Sequence, residues 1–144
     1  MLEKIRQRMA RLKEVAPQSV GVMLDLELVG FEDGEYILRG KTFPWMQNGH
    51  GTLHGGFIAT LADHAMGLVS NSALPGEGVA PAIELQMNYH RPLIPGEDVL
   101  IRVRLRSVTR SLIHTSAELF RASVPEKLCA SSRATYFYKL WSDE

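Results

Sequence analysis

The chain has 144 residues, enough for one domain with a proper core and too few for two. Its hydrophobic fraction of 45% and charged fraction of 22% exclude disordered and collagen-like classes. The 16 basic residues balance the 16 acidic ones, and without a basic excess no nucleic-acid partner is expected.

Residues 1–17 are expected to form an amphipathic helix ahead of a main domain spanning 18–144. Leu2, Ile5, Met9, Leu12 and Val15 recur at helical steps with Lys and Arg between them, and Pro17 marks the end. A basic amphipathic helix can touch a membrane, but a lid packed on the domain is the simpler expectation. This run lacks the apolar region of a signal peptide, and no stretch reaches the roughly 18 apolar residues of a membrane span. The single cysteine, Cys129, cannot form an internal disulfide, and no C-x-x-C pair exists for zinc or redox work. These features suit a cytoplasmic protein with no membrane partner.

From Val20 the period changes to two. Val20, Val22, Leu24, Leu26 and Leu28 alternate with Gly21, Met23, Asp25 and Glu27, which predicts a strand. Glu32-Asp33-Gly34 supplies a turn, and Tyr36 and Leu38 continue as the second strand of a hairpin. Residues 41–54 follow neither period and read as a loop rich in Gly, His and aromatics. Residues 55–74 lack proline until Pro75 and are apolar on almost every side, which predicts a helix buried in the middle of the molecule. Strands are then expected at 79–90, 98–108, 112–121 and 128–140, with short links that favour antiparallel neighbours. The fold class is α+β: a curved antiparallel sheet of five to six strands wrapped around one long central helix.

The chemistry concentrates between Asn48 and Asp63. His54-Gly55-Gly56 opens the central helix, whose first N–H groups lack internal partners and carry the positive end of the macrodipole. Glycine there lets a ligand approach the bare backbone, so this end can hold an anion or a developing oxyanion. The alternative is that the glycines only let the loop turn into the helix. Asp63 stands among Leu61, Ala62, Ala65 and Met66, and a carboxylate in an apolar helix calls for a partner, a shifted pKa or a function. The alternative there is a structural hydrogen bond.

Gly55 and Asp63 are eight residues apart, about 12 Å along a helix. A base or nucleophile and the oxyanion donors must each lie about 3 Å from one reacting group. One helix therefore cannot bring both to the same carbonyl. If both are catalytic, Asp63 meets the Gly55 of another subunit at a symmetric dimer interface.

The run N-G-H-G-T-L-H-G-G-F-I-A-T-L-A-D-H-A-M-G, Asn48 to Gly67, resembles the signature of the phenylacetate-degradation (PaaI-like) branch of hotdog-fold thioesterases. The strand pattern is compatible with that fold over all but the N-terminal helix. The resemblance implies hydrolysis of an acyl-CoA thioester, with coenzyme A as part of the substrate and no separate cofactor. It aligns Asp63 with the catalytic carboxylate, as nucleophile or as general base on water. Gly55 aligns with the residue whose N–H polarises the thioester carbonyl, Asn48 with a polar residue positioning substrate or water, and His54 with a supporting hydrogen-bonder. It also implies a homodimer with shared sites, assembling to a homotetramer. Gly56, Asn88, Arg91, Arg110 and Ser111 are the corresponding expectations for contacts to coenzyme A. The acyl group is expected to be aromatic or of medium chain length, with Trp45 and Met46 either lining its pocket or anchoring the loop. Because a thiolate leaves readily, the reaction needs an activated attacker and an oxyanion donor rather than a strong acid.

Other signals are weaker. His50, His54, Asp63 and His64 invite a metal reading, but no H-E-x-x-H is present and His50 lies in a glycine-flanked loop, so no metal is expected. Ser70, Ser72 and Ser111 lack the G-x-S-x-G context of a nucleophile. Arg102, Arg104 and Arg106 form a stripe that is either a solvated sheet face or an attractor for a phosphate-bearing ligand. The rival functions are a non-catalytic acyl-CoA binder on the same scaffold and an acyl-CoA hydratase on a related frame.

Overall fold

The computed structural model describes residues 1–143. Helix α1 (Leu2–Val15) buries Ile5 and ends where the Ala16 N–H closes on the Leu12 carbonyl at 2.8 Å. The chain then makes one short helical turn, α2 (Val20–Met23), before the hairpin β1 (Glu27–Glu32) and β2 (Glu35–Gly40). The hairpin loop is Asp33-Gly34, with φ of 53° and 77°. Positive φ at both loop residues matches the right-handed strand twist.

The strand expected from Val20 is therefore wrong over its first half. Gly21 is pressed against the His64 ring so closely that a Cβ would overlap it. Asp25 turns the chain with φ of 49°, and Leu24 and Leu26 are buried while Val20 and Met23 are exposed. Packing onto the central helix overrides the alternating letters.

After a 3-10 turn (Pro44–Met46) comes the central helix α3 (Gly55–Ser72), followed by β3 (Gly78–Val79), β4 (Ala82–Tyr89), β5 (Val99–Val108), β6 (Leu112–Arg121), β7 (Leu128–Phe137) and β8 (Lys139–Leu140). Pro81 splits the strand expected over 79–90, and β7 likewise gives way to the short β8 near residue 138. The main sheet has six antiparallel strands in the order β1-β2-β5-β6-β7-β4, and β3 and β8 form a separate ribbon. Register shifts interrupt four of its five strand pairs. Such bulges bend strands and curve this sheet around α3.

The core lies between the concave face and α3. Leu61, Ala62, Ala65, Met66 and Val69 meet Leu38, Ile101, Val103, Ile113, Leu119 and Ala130, all without solvent exposure. Each large apolar side chain buried this way contributes about 1.5–3 kcal/mol. One edge is different. β4 is exposed along nearly its whole length, with Ile83 at 61% and Tyr89 at 54%.

Candidate active site

His54 is the N-cap of α3. Its Nδ1 accepts the Gly56 N–H at 2.9 Å, and a Cβ on Gly56 would stand only 3.1 Å from that nitrogen. The Gly55 carbonyl accepts the Tyr89 hydroxyl at 2.9 Å, while among the described residues nothing bonds its N–H. The first N–H of α3 is thus a donor without a protein acceptor.

Asn48 works on the loop itself. Its Oδ1 accepts the N–H groups of His50 and Thr52, at 2.8 and 3.2 Å, and its Nδ2 donates to Thr52 Oγ1 at 2.8 Å. The buried side chains of Met46 and Leu53 hold the same loop down. Trp45 remains exposed and packs edge-on against Phe57 at 5.2 Å, next to His54. Met46 thus anchors the loop, and Trp45 supplies aromatic surface beside the helix start.

Asp63 lies two turns further along α3, half-buried. The Tyr136 hydroxyl, from the buried face of β7, donates to its Oδ1 at 3.1 Å. Burial first, and then the Asp63 charge and this hydrogen bond, push the Tyr136 pKa well above its ordinary value, so Tyr136 is a standing donor to the carboxylate. No Lys, Arg or His pairs with Asp63 among the described residues. The carboxylate lines a groove of about 350 Å³ with Arg8 and Leu12 of α1, His64, Asn71, Ala82 and Tyr136. Burial lowers the pKa of His64, against the opposing charge of Asp63, and favours its neutral form. Among the described residues no three His, Cys, Asp or Glu side chains converge.

Gly55 and Asp63 thus sit at opposite ends of the β4–β7 pair. Tyr89, which holds Gly55, stands opposite Ala130, while Tyr136, which holds Asp63, stands opposite Ala82. The remaining expected residues divide the same way. Arg91 is tied to the start of β7, donating to the Leu128 carbonyl at 2.8 Å, whereas the Ser111 carbonyl accepts the Tyr138 N–H beyond its end, with Arg110 in the adjoining turn. Nine residue steps of extended chain, from Cys129 to Tyr138, span about 30 Å. Within one chain Arg91 and Arg110 cannot serve one phosphate. Asn88 faces a third place, an outer-face groove of about 480 Å³ shared with Arg102, Arg104, Arg106 and Arg133. Of the arginine stripe, Arg102 and Arg104 are therefore half-buried in a groove while Arg106 at its end is exposed.

Tyr89, Tyr136 and Arg8 were not singled out from sequence. The available signal for Tyr136 was its place on the apolar side of a strand, since a buried hydroxyl needs a partner.

A curved antiparallel sheet wrapped around one long helix defines the hotdog class of domain. The family model for the Thioesterase superfamily matches residues 50–127. The chain belongs to that superfamily and is a thioester hydrolase. It is 33% identical to acyl-coenzyme A thioesterase 13 of Homo sapiens over 116 residues, covering 79% of this chain and 80% of that protein. The PaaI protein of the E. coli phenylacetic acid degradation operon superposes with a TM-score of 0.79 over 95% of this chain and 94% of its own, a likeness of fold at 20% identity. A mutant of the phenylacetic acid degradation protein PaaI from Thermus thermophilus is 32% identical, with a TM-score of 0.68 over 81% of this chain and 96% of that one.

Proposed function

We propose that this chain hydrolyses acyl-coenzyme A thioesters, with Asp63 as the attacking or water-activating carboxylate and the Gly55 N–H as oxyanion donor. The observation that carries this reading is Asp63 itself: a half-buried carboxylate with no cationic partner among the described residues, oriented by Tyr136 at the rim of a groove. As a base, Asp63 takes the proton of a water whose oxygen bonds to the thioester carbon. As a nucleophile, it forms an anhydride that water then opens. Either way the C–S bond breaks and the sulfur leaves as thiolate, while charge builds on the carbonyl oxygen, where a preorganised N–H acts most strongly. The human relative carries the same activity in its name.

The two groups belong to different protomers in this proposal. β4 leaves one edge unpaired and exposes Ile83, Leu85 and Tyr89, the pattern of a strand that continues into a second sheet. A two-fold pairing of β4 with its copy runs the strands antiparallel. The Ala82 end, with Asp63, then faces the partner's Tyr89 end, with Gly55. The same operation carries Arg110 and Ser111 towards the partner's Arg91, so residues about 30 Å apart in one chain converge on one phosphate-bearing ligand. Asn48 and His54 keep the loop and the helix start in place, Gly56 lets the substrate close on the backbone, and Asn88 serves the outer face. Two such dimers form the tetramer. The aromatic surface of Trp45 and Phe57 beside Gly55 supports an aromatic or medium-chain acyl group.

Thiol release from a panel of aromatic and fatty acyl-CoAs, with wild type beside Asp63→Ala, tests the proposal. Release that falls by at least about 10²-fold in the variant is expected. Near wild-type turnover in Asp63→Ala overturns the assignment. Tight binding with no release from any acyl-CoA would point to a binder, and hydration of an enoyl-CoA to a hydratase.

A further inference from the structure

The N-terminal helix does more than cover the domain. Lys4, Arg8 and Arg11 stand on one face of α1 and line a groove of about 530 Å³, closed on the far side by Ser72 at the end of α3, Glu77 and Trp141. Three cations meet a single carboxylate in a chain whose net charge is zero. Arg8 donates to the Asn71 carbonyl at 3.0 Å and so offsets the negative end of the α3 dipole. Lys4 and Arg11 take part in no ion pair among the described residues.

Two further features mark this groove as built. The Ser72 hydroxyl in its wall is buried, the residue being 3% exposed, and has no hydrogen-bond partner among the described residues, although buried polar groups nearly always have one. The backbone at Trp141, a residue 57% exposed, is tied to the groove wall by its amide N–H, which donates to the Glu77 carbonyl at 2.9 Å. Gly78 beside it is pressed against the Lys139 backbone, leaving no room for a side chain. The indole therefore presents an exposed face beside two cations that have no ion-pair partner among the described residues. The volume lies within the roughly 300–1,000 Å³ of small-molecule sites.

We infer that this groove binds a phosphorylated nucleotide, with Lys4 and Arg11 on its phosphates and Trp141 against its base. Cations paired with a stacking surface are the usual means of holding a base and its phosphates together. Two sources of that chemistry exist: a free nucleotide, or the nucleotide end of coenzyme A. Arg8 and Asn71 line this groove and the Asp63 groove alike, so the two adjoin. The coenzyme A source rests on the acyl-CoA reading of Asp63 and would replace the placement of its phosphates between Arg91 and Arg110; the groove itself does not rest on that reading.

The test is equilibrium titration of the whole chain, carrying Trp45→Phe so that Trp141 alone reports, with adenosine 3′,5′-bisphosphate and separately with coenzyme A. Binding of the bisphosphate with quenching of Trp141, weakened about tenfold or more in Lys4→Gln/Arg11→Gln and weakened by salt, is expected. If coenzyme A loses the same factor in the double variant, the nucleotide arrives attached to the thiol. If only the bisphosphate does, the groove serves a free nucleotide. No binding of the bisphosphate, or equal affinity in a double variant with an unchanged circular dichroism spectrum, overturns the inference. No turnover enters the measurement, so this groove and the Asp63 chemistry fail separately.

Discussion

Tyr136 ties the catalytic proposal to the core. Its ring packs inside the sheet and its hydroxyl reaches Asp63 at 3.1 Å, so Tyr136→Phe keeps the packing and deletes only the donor. The variant should lose about 1 kcal/mol of stability by denaturant melting, and its kcat should fall severalfold while KM holds. Loss of KM with kcat intact would assign Tyr136 to substrate binding instead. His64 bears on pH. Burial lowers its pKa in the folded chain, so below the ordinary value of 6.5 the unfolded chain takes up a proton that the folded one refuses. Stability should therefore fall as the pH drops below 6.5, and thermal melts of His64→Asn should show a flatter pH dependence. Asp63 was legible from sequence because a carboxylate inside Leu61-Ala62 and Ala65-Met66 breaks an apolar run. Tyr136 was not, because in letters a strand tyrosine that holds a carboxylate looks the same as one that fills a core.

Among the elements, those whose letters and packing agree were legible. The strand expected over 112–121 is β6 over Leu112–Arg121, because its apolar face is buried and its polar face is not. The helix expected over 55–74 is α3, two residues shorter at its C-terminus. The segment from Val20 has the same alternation and a different outcome. Short-range pattern does not record that Gly21 must fit under His64, a neighbour 43 positions later. Gly21→Ala should accordingly cost about 1–3 kcal/mol in chemical denaturation, the usual cost of overpacking. An unchanged midpoint would mean that α2 can lift from α3 freely. The outer-face groove was half legible: the alternation of Arg102, Arg104 and Arg106 was plain, but the groove also takes Glu35, Glu118 and Arg133 from three other strands.

At the scale of the molecule, the proposed dimer makes a test by mixing. Gly55→Pro removes one N–H at a position where proline suits a helix start, and His54 before it is already extended, with ψ of 133°. Asp63→Asn removes the carboxylate. Each variant alone should be inactive. Unfolded together and refolded, they should recover activity, because mixed dimers contain one site with an intact Gly55 and an intact Asp63. Failure to recover, with mixed dimers demonstrated by differential tagging, would overturn a site shared between Gly55 and Asp63. The spacing between these residues was readable from sequence, whereas the unpaired β4 edge was not, since a central strand and an edge strand can carry the same letters.

The rigidity of α3 has a kinetic consequence. One helix of 18 residues fixes Gly55 and Asp63 apart, so no bending of a lone protomer can close the gap. On the proposed shared site, each newly made chain carries half of two active sites and the whole of neither. Dilution becomes an off switch: as the protein falls below its dimer dissociation constant, the rate should decline with the square of concentration rather than in proportion to it. Hydrolysis would begin only where copies are plentiful enough to meet, and synthesis level would set the threshold as well as the amount of activity.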